Sequence, residues 1–302
     1  MLCRMKNVVL FFVGLMVKLG VLTPKRVAIL KFVYKCHKWP NFKQPRDINE
    51  KINWMKFYGD TSLWPMLADK YTVREYVAER VGSDVLIPLI GKWDSVDDID
   101  WAALPMQFAM KCNNGSGDVI ICKDKSKLDI KAVKKHFASR LHEKFSILSG
   151  EPHYASIKPC IIAEQLLDST TQPCGSSSLI DYKIWVFDGI PMYTWCTWNR
   201  EKYHADVALF DMDWQFHPEW SVWTSHYRKP KKLVPKPKCF EKMMKIAGDL
   251  GKGLPVARID LYCVDEAIYF GEITMTSQGG YMDFYTREFL DKMGNLTVLP
   301  AA

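Results

Sequence analysis

The sequence predicts an α+β protein in which helices pack on antiparallel sheets, and two hairpins carry this prediction. Residues 181–187 (DYKIWVF) lead through an Asp-Gly turn into residues 192–198. Residues 256–275 fold back on themselves around a short loop, Asp265-Glu266-Ala267. Aromatic and β-branched runs that flank such turns are typical of hairpins. Helical patterns alternate with them at residues 66–81, 128–147 and 239–250, as expected for an α+β protein.

The other elements are predicted from the same signals, in chain order. Residues 23–60 are predicted to form a helix, a loop and a second helix, with Asp47 or Asn49 as the cap of the second. Strands are predicted at residues 107–112, 119–122 and 160–167. The Ser/Thr/Gly-rich stretch 169–178 is predicted to be a loop, and the Lys/Pro-rich stretch 227–238 a linker.

Composition allows a large core and favours anionic partners. The chain has 302 residues, of which 48% are hydrophobic and 13% aromatic, and this excludes the disordered class. Its net charge of +7 favours nucleotides, acidic glycans, lipid head groups or nucleic acid as partners, without choosing among them.

The cysteines and the N-terminus bear on the compartment. The nine cysteines form no CxxC or Cys/His pair with zinc spacing, which indicates a reducing compartment and hence the cytosol. The alternative, that a few of them form disulfides, is left open. The apolar run 8–17, followed by Lys18 and residues 19–22, is too short and too charged to span a membrane. Two alternatives stay open for it: a helix packed on the body, or a helix on the membrane surface with basic neighbours, Arg4, Lys6, Lys18, Lys25 and Arg26.

The last hairpin carries the strongest chemical signal. If its loop is centred on Glu266, Asp260 faces Glu272 and Arg258 faces Thr274, all on one sheet face. Two facing carboxylates repel each other unless a cation lies between them, and Mg²⁺ prefers oxygen ligands that it shares with nucleotide phosphates. The alternative is a solvated face with an Arg–Asp ion pair.

Two further motifs carry cations. Lys111 precedes Gly115-Ser116-Gly117 between two strands, where glycines let backbone N–H groups approach phosphate closely. An ordinary Gly-rich hairpin turn is the alternative, because the Walker pattern is absent. Asp69-Lys70-x-x-x-Arg74 places Lys70 and Arg74 on one helix face, either for a ligand or for solvent.

Two buried strands carry charges as well. Glu164 lies late in the apolar strand IIAEQLL, where a charge needs a partner. Asp181 and Lys183 share one face of the strand DYKIWVF. A structural ion pair and a role in a ligand site are both open for these residues.

The order of these motifs resembles the ATP-grasp superfamily and, more narrowly, the TupA-like family named for teichuronopeptide synthesis. The resemblance runs from NFKQPRDINEKINW (41–54) to GEITMTSQGGYMDF (271–284). Between them it includes LADKYTVREYV, FAMKCNNGSGDVI, DYKIWVFDG, ARIDLY and YFGEIT. It implies an ATP-grasp fold with two lobes clamping the nucleotide. We expect a helical N-terminal extension over residues 1–60 and a catalytic unit over 61–302, with an N-side lobe of about 61–160 and a C-side lobe of about 161–302.

The resemblance also implies a role for each motif, with ATP and Mg²⁺ as cofactors. Implied nucleotide contacts are Lys111 at the phosphates, Gly115, Ser116 and Gly117 as the lid, Glu164, the hinge Gln165, Leu166 and Leu167, and Asp181 at the ribose. Implied catalytic residues are Arg258, Lys183 and Arg74, the last standing where many relatives have a lysine. Implied metal ligands are Asp260, Glu272 and Thr274. Thr274 replaces the asparagine of the superfamily's E-x-N motif and would bind only through a neutral hydroxyl.

The implied chemistry is ATP-dependent carboxylate–amine ligation through an acyl phosphate. The resemblance further implies an acidic glycan or lipid-linked saccharide and an amine as substrates, no nucleic-acid partner, and a cytoplasmic location with contact at the inner membrane face as an open alternative. We expect the substrate pocket at residues 276–281 and the aromatic segment 193–227.

Two other functions stay open. A glycosyltransferase of the same pathway would use Asp211-Met212-Asp213 as its metal motif, with Trp214, Trp220 and Trp223 stacking on sugars, unless the segment is a turn in an aromatic core. A non-catalytic nucleotide- or glycan-binding protein would bind MgATP without turnover.

Overall fold

The computed structural model describes residues 22–143 and 145–300. The apolar run at 8–17 and its continuation at 19–21 lie outside these residues. The described helices are α1 (Pro24–Cys36), α2 (Ile48–Tyr58), α3 (Trp64–Ala68), α4 (Val73–Val81), α5 (Ile130–Arg140), α6 (Phe145–Ser149), α7 (Phe240–Gly251) and α8 (Arg287–Leu296). None of the helices in the described ranges is long and apolar enough to cross a membrane.

The strands form two sheets. They are β1 (Leu89–Trp93), β2 (Phe108–Cys112), β3 (Ile120–Cys122), β4 (Ile161–Glu164), β5 (Asp181–Phe187), β6 (Ile190–Trp198), β7 (Ala205–Phe210), β8 (Tyr227–Arg228), β9 (Ala257–Val264) and β10 (Ala267–Thr274). The small sheet has the order β1-β4-β2-β3, and the large sheet has the order β10-β9-β5-β6-β7-β8. All pairs are antiparallel except β7 with β8.

Each sheet has its own hydrophobic core. The small sheet packs on α5 through Val133 and Phe137. The large sheet packs on α7, whose apolar face includes Met243 and Leu250, and the same core takes in Ile52 of α2. Burial of such side chains stabilises the fold by roughly 1.5–3 kcal/mol each.

Strand pairing bears on the lobe boundaries. Because β4 lies between β1 and β2, we propose that the N-side lobe ends after Glu164 rather than near residue 160. We also propose that α2 belongs to the body, since Ile48, Ile52 and Met55 lie in the large core, and that only the part before it is an extension.

Two predicted helices are interrupted. The stretch 66–81 divides into α3 and α4 because the Asp69 carboxylate accepts hydrogen bonds from the amides of Tyr71 (2.8 Å) and Thr72 (3.4 Å), which forms a turn. The stretch 128–147 likewise divides into α5 and α6. The predicted linker 227–238 begins with the short strand β8, and the strand predicted at 160–167 ends at Glu164.

The helix predicted after the loop at 39–45 is confirmed with its cap. Asp47 accepts a hydrogen bond from the Glu50 amide at 2.9 Å, so it is the N-cap of α2. Lys38 joins the two carboxylates, at 2.6 Å from Asp47 and 2.8 Å from Glu50. Asn49, in the first turn of α2, begins the buried polar face of this helix.

Candidate functional site

The hairpin β9–β10 places Asp260 opposite Glu272, as predicted. Arg258 faces Thr274 in the same register. The turn is shorter than expected: Val264 pairs with Ala267, so only Asp265 and Glu266 connect the strands. A bulge at Gly271 adds one residue to β10 and restores the predicted pairing at the carboxylates.

Arg258 joins the facing carboxylates. Its Nε lies 2.7 Å from Asp260 Oδ1, and its Nη2 lies 2.8 Å from both Asp260 Oδ2 and Glu272 Oε1. Nη2 also donates to the Thr274 hydroxyl at 3.2 Å, while that hydroxyl donates to Glu272 Oε1 at 3.0 Å. Nη1 donates to the Ser277 hydroxyl at 2.8 Å. The ion pair and the carboxylate pair are therefore parts of one cluster.

The neighbouring strand β5 adds Lys183 and Asp181 to this cluster. Lys183 lies opposite Asp260 in the β5–β9 register, with its Nζ 2.5 Å from Asp260 Oδ2 and 3.7 Å from Asp181 Oδ2. Asp181 is only 3% exposed and also pairs with Arg200. Sequence analysis missed Arg200, which stands in the loop after β6 and carries no motif of its own.

The small sheet contributes a second cluster around Glu164. Lys111 Nζ lies 2.7 Å from Glu164 Oε2, and Arg74 Nη1 lies 3.1 Å from Glu164 Oε1. Arg74 also donates to the carbonyl of Ile87 at 2.9 Å. The buried glutamate thus has its partners, and two cations are held side by side.

Lys70 connects the two clusters, and the sequence-based site did not include it. Its Nζ donates to the carbonyl of Gly115 at 2.5 Å, and its amide donates to the carbonyl of Asn113 at 3.1 Å. It lies close enough to lower the pKa of Glu272 on the other sheet. In the structure Lys70 lies in the turn after Asp69, between α3 and α4, and not on the helix face that it was predicted to share with Arg74.

The Gly-rich loop between β2 and β3 has the backbone that its glycines predict. Gly115 has φ +106° and Gly117 has φ +76°, both in the region that favours glycine. Ser116 and Gly117 are exposed, while Arg140 donates to the Ser116 carbonyl at 3.2 Å. The loop is anchored at its start and open at its tip, which suits a phosphate lid.

The predicted hinge follows β4 directly. The Gln165 amide donates to the Pro88 carbonyl at 2.9 Å, so it is not free for a ligand. The backbone groups of Leu166 and Leu167 make no hydrogen bond to any residue of the described ranges. These two residues keep the backbone groups that an adenine ring would need.

Electrostatics keep Glu272 and Arg258 in their charged forms. Burial would raise the pKa of Glu272, but Arg258, Lys70 and Lys183 outweigh it and lower the pKa to about 2. Burial lowers the pKa of Arg258, but Asp260 and Glu272 outweigh it and raise the pKa above its ordinary value. Burial lowers the pKa of Lys70, and Glu272 opposes that shift. Basic side chains outnumber acidic ones in the two clusters, and an excess of positive charge favours a phosphate group. The basic residues are Lys70, Arg74, Lys111, Lys183, Arg200 and Arg258, and the acidic residues are Glu164, Asp181, Asp260 and Glu272.

The oxygen donors of this cluster fit Mg²⁺. Asp260 and Glu272 are carboxylates that face each other on paired strands, and Mg²⁺ needs only one or two carboxylates when phosphates and water complete its shell. Glu272 Oε2 has no hydrogen bond or ion pair within residues 22–143 and 145–300, so this oxygen is available. No group of three or more His, Cys, Asp or Glu residues in those ranges could hold a metal without such added ligands.

The segment Asp211-Met212-Asp213 is a turn in an aromatic core. Asp211 Oδ1 accepts from the amides of Asp213 (3.0 Å) and Gln215 (2.8 Å), and its Oδ2 lies 3.0 Å from His217 Nε2. Trp214 stacks on Phe210 with ring centres 4.4 Å apart. The Asp211 carboxylate, which a glycosyltransferase would use to bind its metal, thus already has hydrogen-bond partners within the protein.

A basic cavity lies at the edge of the large sheet. It has a volume of about 320 Å³, and one of its lining residues, Asn199, directly precedes Arg200 in the sequence. Its lining residues are Cys174, Trp198, Asn199, Asp206, Arg228, Lys229, Lys231 and Lys232. The other expected substrate segment, residues 276–281, lies beside Arg258 through Ser277.

The chain is similar at low identity to several solved ligases. A D-alanine–D-alanine ligase from Bacillus anthracis is 13% identical over 83% of this chain and 65% of its own, with a TM-score of 0.39. An L-amino acid ligase from Bacillus licheniformis is 14% identical over 78% and 50%, with a TM-score of 0.44. A D-alanine–D-alanine ligase from Helicobacter pylori is 12% identical over 83% and 66%, with a TM-score of 0.42. The chain thus spans 50–66% of the length of these three proteins.

No curated protein sequence matches the chain. A family model described as TupA-like ATPgrasp matches residues 50–298, which include all the predicted site residues. This match confirms the ATP-grasp fold that the resemblance implies. The chain belongs to the TupA-like ATP-grasp family.

Proposed function

We propose that this protein is an ATP-dependent carboxylate–amine ligase that joins an amino acid or another amine to a uronic acid during synthesis of a surface polysaccharide. The observation that carries the ligase reaction is the cluster of Arg258, Lys183, Asp260 and Glu272. Lys70, in the turn between α3 and α4, lies close enough to lower the pKa of Glu272. Phosphoryl transfer to a carboxylate depends on positioning and charge neutralisation, and this cluster offers both.

In the proposed reaction, an oxygen of the substrate carboxylate attacks the γ-phosphorus of ATP, the bond to the bridging oxygen breaks, and ADP leaves. An amine nitrogen then attacks the carbonyl carbon of the acyl phosphate, phosphate leaves, and the nitrogen loses a proton to give an amide. Lys111 and Arg74 would hold phosphate oxygens, and Arg258 and Lys183 would neutralise the charge of the transferring group. Bound by Asp260 and Glu272, Mg²⁺ would supply further positive charge at the phosphate oxygens.

The acidic substrate is supported by the basic cavity. Arg228, Lys229, Lys231 and Lys232 line it together with one acid, Asp206, which pairs with Arg228 at 3.2 Å. An excess of cations favours a carboxylate or phosphate group. The polysaccharide setting comes from the family resemblance. A cytoplasmic reaction suits the free cysteines of the described ranges. We also propose that the protein contacts the inner face of the membrane.

A substrate panel tests the proposal. ADP release is measured with pairs of uronic acids and amino acids, with sugar-nucleotide donors run in parallel. The ligase predicts ADP and phosphate only when carboxylate and amine are both suitable. Sugar transfer without ATP would favour the glycosyltransferase, and MgATP binding without turnover on any pair would favour the binding protein.

A further inference from the structure

Helix α2 presents a buried polar face to the chain that follows β10. Asn49, Asn53 and Lys56 recur at intervals of four and three residues, so they lie on one side of the helix. Their exposed fractions are 1%, 1% and 3%. Polar groups that are buried so completely require partners.

These side chains find their partners on the main chain of residues 279–282. Asn49 Nδ2 donates to the Met282 carbonyl, and Asn49 Oδ1 accepts from the Met282 amide, both at 3.0 Å. Asn53 Nδ2 donates to the Gly280 carbonyl at 2.8 Å. Lys56 Nζ donates to the Gly279 carbonyl at 2.7 Å. The helix thus holds this short segment at three separate points.

The segment needs such support because its backbone is unusual. Gln278, Gly279 and Gly280 have φ values of +47°, +67° and +76° in succession. Left-handed conformations of this kind persist when the surrounding structure over-determines them. The other end of the segment is held as well, since the Thr276 hydroxyl donates to the buried carboxylate of Glu151.

Between these anchors lies Ser277, which contacts the reaction cluster. It is fully buried, and its hydroxyl accepts from Arg258 Nη1 at 2.8 Å. The place of Ser277 therefore helps to orient the guanidinium that joins Asp260 and Glu272.

We infer that Asn49, Asn53 and Lys56 are positioning residues, which fix the segment 276–282 so that Ser277 orients Arg258 for the chemical step. The inference rests on the proposed function for the reaction that Arg258 serves. It gives the DINEKINWMK stretch a role in the proposed active site, although within residues 22–143 and 145–300 no hydrogen bond or ion pair joins the helix to Arg258, Asp260 or Glu272.

Hydrogen exchange tests the structural half of this inference in the full-length protein. In Asn53→Ala and Lys56→Met, the amides of Gly279 and Tyr281, which donate to Thr276 and Gln278, are expected to exchange at least tenfold faster than in the wild type. The matched control is Lys51→Met, because Lys51 also donates to two carbonyls, those of Gly294 and Thr297, but on the other side of α2. Unchanged exchange in this segment, or equal acceleration in the control, would overturn the inference.

Kinetics test the functional half. We expect kcat to fall on the order of tenfold in Lys56→Met, while the Kd for MgADP stays within twofold. The variant loses the hydrogen bonds from Lys56 to the Gly279 carbonyl, to the Tyr281 hydroxyl (3.1 Å) and to the Gly150 carbonyl (3.2 Å). Ser277→Ala, a small change that leaves the anchors intact, is expected to show the same pattern. The double variant is expected to lose little more than either single variant, because both act through Arg258. The inference would be contradicted if the losses of kcat in the two single variants multiplied in the double variant. It would also be contradicted if the Kd for MgADP weakened while kcat stayed unchanged.

The hydrogen-exchange and kinetic experiments together distinguish a failure of this inference from a failure of the proposed function. If the wild type turns over no substrate pair, the proposed function fails, and the exchange experiment still decides whether α2 fixes the segment. If the wild type is active and the exchange of the segment responds but kcat does not, the positioning role alone is refuted.

Discussion

Asp260 is held from two sides, by Lys183 on β5 and by Arg258 on its own strand. A carboxylate that is 2% exposed and doubly paired is costly to disturb, since removing one member of a buried pair leaves the others uncompensated. The same placement aligns its oxygens with those of Glu272 across the hairpin. At this scale, the structural role of Asp260 and its proposed role as a Mg²⁺ ligand coincide in one side chain.

Asp260→Asn is expected to lower turnover by at least about 10²-fold, because it removes the charge that would bind Mg²⁺ and that orients Arg258 and Lys183. ADP formation measures the loss, and circular dichroism is expected to show a folded protein. Asp265→Asn is the matched control, since Asp265 lies in the exposed turn of the same hairpin with φ +49° and tolerates asparagine there. Full activity in Asp260→Asn would overturn the site assignment.

Glu272 makes a prediction about pH. Its pKa is lowered from 4.5 to about 2 in the folded protein, so the folded state keeps the carboxylate ionised while the unfolded chain takes up a proton. The stability that this group contributes is complete above about pH 4.5 and is lost as the pH falls towards 2. The advantage of the wild type over Glu272→Gln in urea unfolding should therefore shrink between pH 5 and pH 3. An advantage that stays constant or grows over that range would contradict the charge network.

At the scale of elements, the hairpin shows what local rules can predict. Period-two alternation placed Asp260 and Glu272 on one face, and the structure agrees. The predicted loop was one residue too long, and the bulge at Gly271 compensates for the difference. A bulge depends on how β10 packs against its neighbours, and the strand sequence alone does not specify it.

Other elements escaped prediction because non-local pairing forms them. Strand β1 has a mixed burial pattern without clear alternation and is completed by β4, some seventy residues later in the chain. The contact between Lys70 and Gly115 likewise depends on a turn at Asp69 and on a loop in another part of the sequence. The motifs themselves could be located from the sequence, but their partners across the two sheets could not.

The Gly-rich loop makes a prediction at the same scale. Gly117→Ala adds a Cβ that meets no atom within 4 Å but forces an L residue to φ +76°, so the strain should stiffen or displace the lid. We expect the affinity for MgATP, measured by calorimetry, to weaken several-fold. Gly253→Ala is the control, because Gly253 has φ +81° and equally open surroundings, at the turn after α7. Both should cost about 1 kcal/mol of stability, and an equal effect on MgATP affinity would contradict the lid role.

At the scale of the whole molecule, the two sheets contribute opposite halves of the proposed site. The small sheet supplies Lys111 and Arg74 around Glu164, and the large sheet supplies the carboxylate hairpin with Lys183 and Arg258. Lys70 reaches between them. Neither half alone has all the cations proposed for phosphate and the carboxylates proposed for Mg²⁺, so the proposed activity would require both sheets.

The central claim, that this assembly forms an amide at the expense of ATP, is tested most directly by the stoichiometry of product and ADP. The full-length protein is incubated with MgATP, a uronic acid and an amine that support turnover, and amide and ADP are counted by mass spectrometry and chromatography. The account predicts one ADP for each amide in the wild type and neither product above background in Glu272→Gln. Amide formation without ADP, or unchanged formation of both products in Glu272→Gln, would contradict it.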